Sequence, residues 1–326
     1  MKIVPSRRIL KNPEQLIRKI NIKEFYEKRN KILIIRACGG LGDILMHRMI
    51  FEDFKLLMPE AEIHFACPLQ YHEALVDHPF IDKILDSAKI DKSDYIISYN
   101  TTSACGRYEC SIAPLSGDHR SDIWAKHCGV NLTKHNMHIS LTDEEKESGK
   151  KIVEKIRNKE GQVVALAPIS AMISKNLLPH HIEFIKNYFK DKDYFLFGVH
   201  NIPIHDLNKL NIPQVFNLSI REWMGVLNYA DYVISVDTSA FHFAGGIAKP
   251  VTGIFTFADG LVYSKYYPKK IIVQKHRING DWDCGPCYNW SLCPKTNSTI
   301  KPCLTEITNK MLQDGIDLML ERYGKN

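Results

Sequence analysis

From Ile32 to Ile35 the chain is a short, unbroken, isoleucine-rich apolar run, and after a turn apolar residues return at Leu45, Met49, Phe51 and Phe54 with roughly helical spacing. A continuous apolar run of this length fits a parallel strand covered on both faces. The segment therefore reads strand, turn, helix. The same alternation recurs in the second half, where strands are expected at 163–167, 194–197, 232–236 and 251–255 with helices between them, as a second parallel sheet requires. The charged run Thr142 to Lys159 opens with Thr142 and, three residues on, Glu145, the signature of a capping box; it predicts a helix leading into the second half, with the linker nearby. The expected fold class is α/β, with a first domain over 31–155 and a second over 156–326. Residues 1–30 read as an extension with one helix around 13–28.

Two turns carry candidate chemistry. Gly39, Gly40 and Gly42 follow the first strand and supply freedom for positive φ and close backbone approach, and Asp43 stands where the next helix begins. Asp43 is either an N-cap or an acid at the mouth of a cleft. The spacing is not the dinucleotide fingerprint, because Leu45 stands where a third glycine is needed. In the second turn Asp237, Thr238 and Ser239 cap a helix start, whose free N–H groups attract phosphate, and His242 falls within the first turn. Taken by itself, that turn reads first as an ordinary crossover with a good cap and a half-buried histidine. Gly245 and Gly246 are expected to let the helix pack closely on its sheet.

Composition narrows the classes. With 326 residues, 44% hydrophobic and 25% charged, the chain has room for two cores. No apolar run approaches the ~20 residues that cross a bilayer and no signal-peptide core opens the chain, so a cytoplasmic protein is expected, with the inner membrane face as a peripheral site. The net charge of +6 suits an anionic small molecule and is too mild to demand nucleic acid. Arg7, Arg8, Lys11, Arg18, Lys19 and Lys23 form a basic stretch, read as a solvated helix face or as a surface for lipid or acceptor.

Five of the nine cysteines are scattered through the first half, and four cluster at Cys284, Cys287, Cys293 and Cys303. A C-x2-C pair followed by two more within twenty residues has metal-ligand character, and zinc or a single iron suits four thiolates. Free thiols or one disulfide are the alternatives. A four-thiolate site would be structural, since it leaves no open position for water.

Taken together, ILIIRACGGLGDIL near the start and ADYVISVDTSAFHFAGGIAKPVTGIF in the second half resemble glycosyltransferase family 9, the heptosyltransferases that use ADP-heptose. Pro59–Ile63, His78–Asp82, the His119-Arg120-Ser121-Asp122 piece and Lys175-Asn176-Leu177-Leu178-Pro179 fit in the same order, and the cysteine cluster resembles the iron site of the autotransporter heptosyltransferase branch. The resemblance implies a GT-B fold, two doubly wound Rossmann-like domains facing across a cleft. It implies an inverting transfer in which Asp43 is the base and Lys175, Asp237, Thr238, Ser239 and His242 hold the diphosphate of a nucleotide sugar, with Gly42 beside it. Ser239 stands where the family usually has glycine. Glu222 falls where nucleoside contacts often sit, although a first-turn acid needs no ligand. A base for the incoming hydroxyl and cations for the departing diphosphate suffice for such chemistry without a metal. The D-x-D runs at 191–193 and 281–283 follow no expected strand end. The acceptor is expected to be a glycan, a lipid-linked glycan or a protein, and assembly of several copies is left open. The competing readings are a sugar transferase acting on DNA bases and an inactive nucleotide-sugar-binding scaffold.

Overall fold

The computed structural model describes residues 30–275, 285–288 and 292–324. The expected N-terminal helix, the basic stretch, Cys284 and the D-x-D run at 281–283 lie outside the described residues. The first sheet holds β1 (Lys31–Ile35), β2 (Glu62–Cys67), β3 (Lys83–Asp86) and β4 (Ile97–Asn100) in the order β3-β2-β1-β4, all parallel. The second holds β5 (Gln162–Ala167), β6 (Tyr194–Val199), β7 (Gln214–Val215), β8 (Tyr232–Val236), β9 (Val251–Phe255) and β10 (Lys270–Gln274) in the order β10-β9-β8-β5-β6-β7, again parallel. In each sheet the first strand in sequence is central and later strands add to either side. This is doubly wound topology. Its crevice opens beyond the carboxyl ends of the strands where the order reverses, at β1/β4 in one sheet and β5/β8 in the other.

The helix after β1 differs from expectation. It runs Leu41–His47, passes through a 3-10 turn at Arg48–Ile50 and resumes at Phe51–Leu57, although Leu45, Met49, Phe51 and Phe54 are all buried as the periodicity requires. The break has a local cause. His78 Nε2 donates to the Arg48 carbonyl at 2.8 Å, drawing it away from the helical ladder, and the buried Arg48 guanidinium donates to the Met137 carbonyl at 2.7 Å and to Asp77 at 3.0 Å.

Thr142 and Glu145 form the expected capping box at the start of the helix Asp143–Ile156. That helix packs against Ile220–Tyr229 of the second half so tightly that a Cβ on Gly149 would lie 2.1 Å from the Gly225 carbonyl carbon. The two halves share one apolar cluster, in which Ile34 and Phe65 from the first sheet join Phe197 from the second and Phe243 from the helix after β8. Ion pairs also bridge them. Arg221 meets Asp77 at 3.0 Å and Glu145 at 2.6 Å. Among the described residues no helix is long and apolar enough to cross a membrane.

Candidate active site between the two sheets

Beyond the carboxyl end of β1 the chain turns through Gly39, whose φ of +120° and crowded surroundings exclude a side chain: a Cβ there would lie 2.6 Å from Asp43 Oδ2. Positive φ is needed at Gly39 alone; Gly40 is extended, with φ −91° and ψ 171°. Asp43 is the third residue of the helix, and its Oδ2 accepts the Gly40 N–H at 3.3 Å. Capping is the lesser part of its environment. Arg120 Nη1 lies 2.7 Å from Oδ1 and Arg36 Nη2 lies 3.0 Å from Oδ2, with Asp43 only 9% exposed. Burial alone would raise its pKa, but Arg120, then Arg36, outweigh that and hold the carboxyl at about 2. Asp43 is thus a carboxylate at neutral pH.

Gly42 serves a second purpose. A Cβ there would lie 2.9 Å from His242 Cδ2, so the absent side chain is what lets the helix Ser239–Gly246 of the second half press against the first turn. Thr238 is that helix's N-cap and makes no side-chain capping bond, so its hydroxyl does not cover the N–H groups at the helix start. His242 sits in the first turn as expected, with Nδ1 hydrogen-bonded to the Tyr267 hydroxyl at 2.8 Å and Nε2 3.5 Å from Asp237 Oδ1. Gly245 and Gly246 admit neighbours other than the sheet. Added Cβ atoms would meet the Tyr267 ring at 2.3 Å and Met137 Sδ at 2.4 Å.

Lys175 closes a 3-10 turn after β5 and places its Nζ 2.6 Å from Asp237 Oδ2 at the end of the adjacent β8. The ion pair spans the point where the strand order reverses. Burial raises the Asp237 pKa, but Lys175 and His242 outweigh it and hold the acid well below the usual carboxylate range. Asp43, Lys175, Asp237, Thr238, Ser239 and His242 therefore surround the contact between the two halves.

Glu222 does something else. It closes a capping box with Ser219, whose N–H it accepts at 2.9 Å, and it lines a groove of about 650 Å³ formed mainly by the helix Asp143–Ile156. The D-x-D run at 191–193 precedes β6, at the strand end opposite the crevice.

The remaining cysteines of the cluster are half-buried (Cys287) or buried (Cys293 and Cys303). The segment docks on the site, since the Cys287 and Tyr288 N–H groups both donate to the Phe257 carbonyl, at 3.1 and 3.2 Å, just past β9. Among the described residues no group of three or more His, Cys, Asp or Glu is arranged to hold a metal ion.

Residues left without a role in the sequence reading complete the site. Arg120 is gripped by Glu109 through two bonds of 2.8 Å and lies 4.6 Å above the Tyr263 ring. Arg36, directly after β1, also donates to the Thr102 carbonyl at 2.6 Å. His47 and His119 are buried, and burial as the leading cause pushes both down to about 3. For Arg36 the signal was its position directly after β1, and for His119 and Arg120 it was the family-like His119-Arg120-Ser121-Asp122 piece.

No family model and no curated protein matches the chain. Solved structures do. A glycosyltransferase family 9 protein from Veillonella parvula superposes with a TM-score of 0.66 at 13% identity, covering 91% of this chain and 98% of that one. Escherichia coli ADP-heptose LPS heptosyltransferase II matches with a TM-score of 0.66 at 10% identity, covering 89% and 99%. The dodecameric iron-containing heptosyltransferase TibC, in complex with ADP-D-β-D-heptose, matches with a TM-score of 0.63 at 14% identity, covering 91% and 78%. The fold is thus GT-B, the two-domain Rossmann-like architecture of heptosyltransferases in that glycosyltransferase family.

Proposed function

We propose that the chain is an inverting glycosyltransferase, with Asp43 as the base and Lys175, His242 and the helix start at 238–239 receiving the diphosphate of a nucleotide sugar. The observation that carries this reading is the Gly42–His242 contact, which brings the turn that holds the Asp43 carboxylate against the helix start at 238–239 of the other half. An acceptor hydroxyl attacks the anomeric carbon, the bond to the diphosphate breaks with its electron pair, and the hydroxyl proton passes to Asp43. At a pKa of about 2 that carboxylate is a weak base, so the proton moves late, once the forming glycosidic bond has made the hydroxyl acidic. Lys175 and the helix dipole take up the charge on the leaving group. Lys175 must share itself between Asp237 and the donor.

ADP-heptose is the donor we favour, because ADP-heptose glycosyltransferases share the fold. The acceptor class is a glycan, a lipid-linked glycan or a protein. The cysteine segment is assigned a structural ion, zinc or iron, held by Cys284, Cys287, Cys293 and Cys303. The support is chemical: although burial opposes ionisation of Cys293, hydrogen bonds from the Thr296 hydroxyl and from the N–H groups of Thr296 and Lys295 bring its thiol below its ordinary value, toward the thiolate a metal takes. Domains bounded at 31–155 and 156–326 accommodate both sheets.

A thermal-shift titration with a panel of nucleoside diphosphates and nucleotide sugars tests the reading. A true donor at a hundred times its dissociation constant adds about 2.7 kcal/mol. If no member of the panel moves the transition, the donor site is misassigned.

A further inference from the structure

Resting on Asp43 as the base, the geometry points to Arg120, Glu109 and Tyr263 as positioning residues that aim the Asp43 carboxylate and make its placement depend on the second half of the molecule. The four side chains form one buried chain of contacts. Tyr263 donates its hydroxyl to Glu109 Oε1 at 2.7 Å, Glu109 holds Arg120 by Nε and Nη2 at 2.8 Å each, and the remaining Nη1 of Arg120 reaches Asp43 Oδ1 at 2.7 Å. Asp43, Glu109, Arg120 and Tyr263 are each under a tenth exposed. A guanidinium fixed along one edge by a carboxylate can swing little at the other, so the second edge is a rigid donor.

Ownership of these groups matters. Asp43, Glu109 and Arg120 belong to the first half, whereas Tyr263 ends the short helix Gly260–Tyr263 between β9 and β10. The Tyr263 ring also lies under the Arg120 guanidinium, and the Tyr263 carbonyl accepts from His119 Nε2 at 3.2 Å. With the two halves in contact, Tyr263 lies on the pair that aims the base. Parting them would remove a hydrogen bond from Glu109 and a ring face from Arg120 together. The charge around Asp43 is set from several elements: Arg36 after β1, His47 on its own helix, Arg120 and Glu109 from the helices on that sheet, and His242 across the contact. Of these, Arg120 and Arg36 touch the carboxylate.

The test compares Arg120→Gln, Tyr263→Phe and Asp43→Asn with the parent. ADP affinity is read by calorimetry, and transfer from ADP-heptose is followed from pH 5 to 8. Arg120→Gln removes the nearer of two cations and its hydrogen bond from a buried carboxylate, which should raise the Asp43 pKa by about 3 units, to about 5. Its transfer rate is expected to fall at least about twofold more than the parent's between pH 8 and pH 5, with ADP affinity within about twofold of the parent. Tyr263→Phe keeps the ring and removes only the hydroxyl, so it should fold and lower kcat several-fold at unchanged ADP affinity. If Arg120→Gln keeps the parent's pH profile, or loses ADP affinity as much as kcat, the positioning role is overturned. Should Arg120→Gln not fold, Tyr263→Phe decides, and a parental kcat there overturns the inference. Asp43→Asn separates the two ideas: parental transfer in that variant removes the base itself, while an inactive Asp43→Asn beside an unmoved profile removes only the positioning role.

Discussion

His242 lies against Gly42 so closely that a methyl group added to Gly42 would sit 2.9 Å from the imidazole Cδ2. The imidazole cannot simply retreat, because it is buried and tied to the Tyr267 hydroxyl. Gly42→Ala is therefore expected to cost about 1–3 kcal/mol of stability, the range for overpacking a tight site. It should also weaken ADP binding by displacing the helix start at 238–239. Urea unfolding and calorimetry check both, and parental values for each would show that the contact does not set the site.

Lys175→Ala should weaken ADP binding by about 10- to 100-fold, the worth of a charge-assisted hydrogen bond. Part of that loss comes from the Asp237 carboxylate, left with His242 as its remaining partner and repelling the diphosphate. Asp237→Asn added to Lys175→Ala is accordingly expected to recover some affinity. The loss should shrink at high salt as the attraction is screened. Equal affinity in parent and Lys175→Ala would end the diphosphate assignment.

Acid should unfold the protein early. His47, His78 and His119 are buried and pushed down to about 3, chiefly by burial. Two of them are bonded as neutral rings: His119 Nε2 donates to the Tyr263 carbonyl while Nδ1 accepts the Ser121 N–H, and His78 is engaged in the same way by the Arg48 carbonyl and the Phe80 N–H. Between about pH 6.5 and 3 the unfolded chain binds protons that the folded chain refuses, so stability falls as pH falls through that window. Each histidine contributes about 1.4 kcal/mol per pH unit. Asp43, held at about 2, adds a further loss only below its ordinary value. Urea midpoints at pH 7, 6 and 5 should decline steadily; a flat series would contradict neutral burial.

The cysteine segment should carry about one equivalent of zinc or iron per chain when the protein is purified without a metal-binding tag. Less than about a tenth of an equivalent, with all four thiols open to alkylation in the native protein, would leave only free thiols.

Much of this site was legible because its parts sit at strand ends. The run from Ile32 to Ile35 and the run from Tyr232 to Val236 are apolar enough to read as buried strands, and each gives way to a polar turn, so Asp43 and Asp237 declared themselves. The first sheet's outer strands did not, because Lys83–Asp86 and Ile97–Asn100 are four residues each and partly exposed. Arg120 and Glu109 were hidden for another reason. Their importance lies in a pairing that only the packing of the helices Ala104–Ile112 and Arg120–His127 creates. Glu222, whose position was open to a ligand contact or a first-turn acid, makes bonds that form a cap.

The most direct test is Asp43→Asn, assayed for ADP release from ADP-heptose in the presence of a glycan, lipid-linked glycan or protein acceptor that the parent glycosylates, alongside ADP affinity by calorimetry. The amide keeps the shape and removes the base, so ADP affinity should stay within about twofold while transfer falls by about 10²–10⁴. Transfer within about threefold of the parent would show that Asp43 is not the base, being far short of that range.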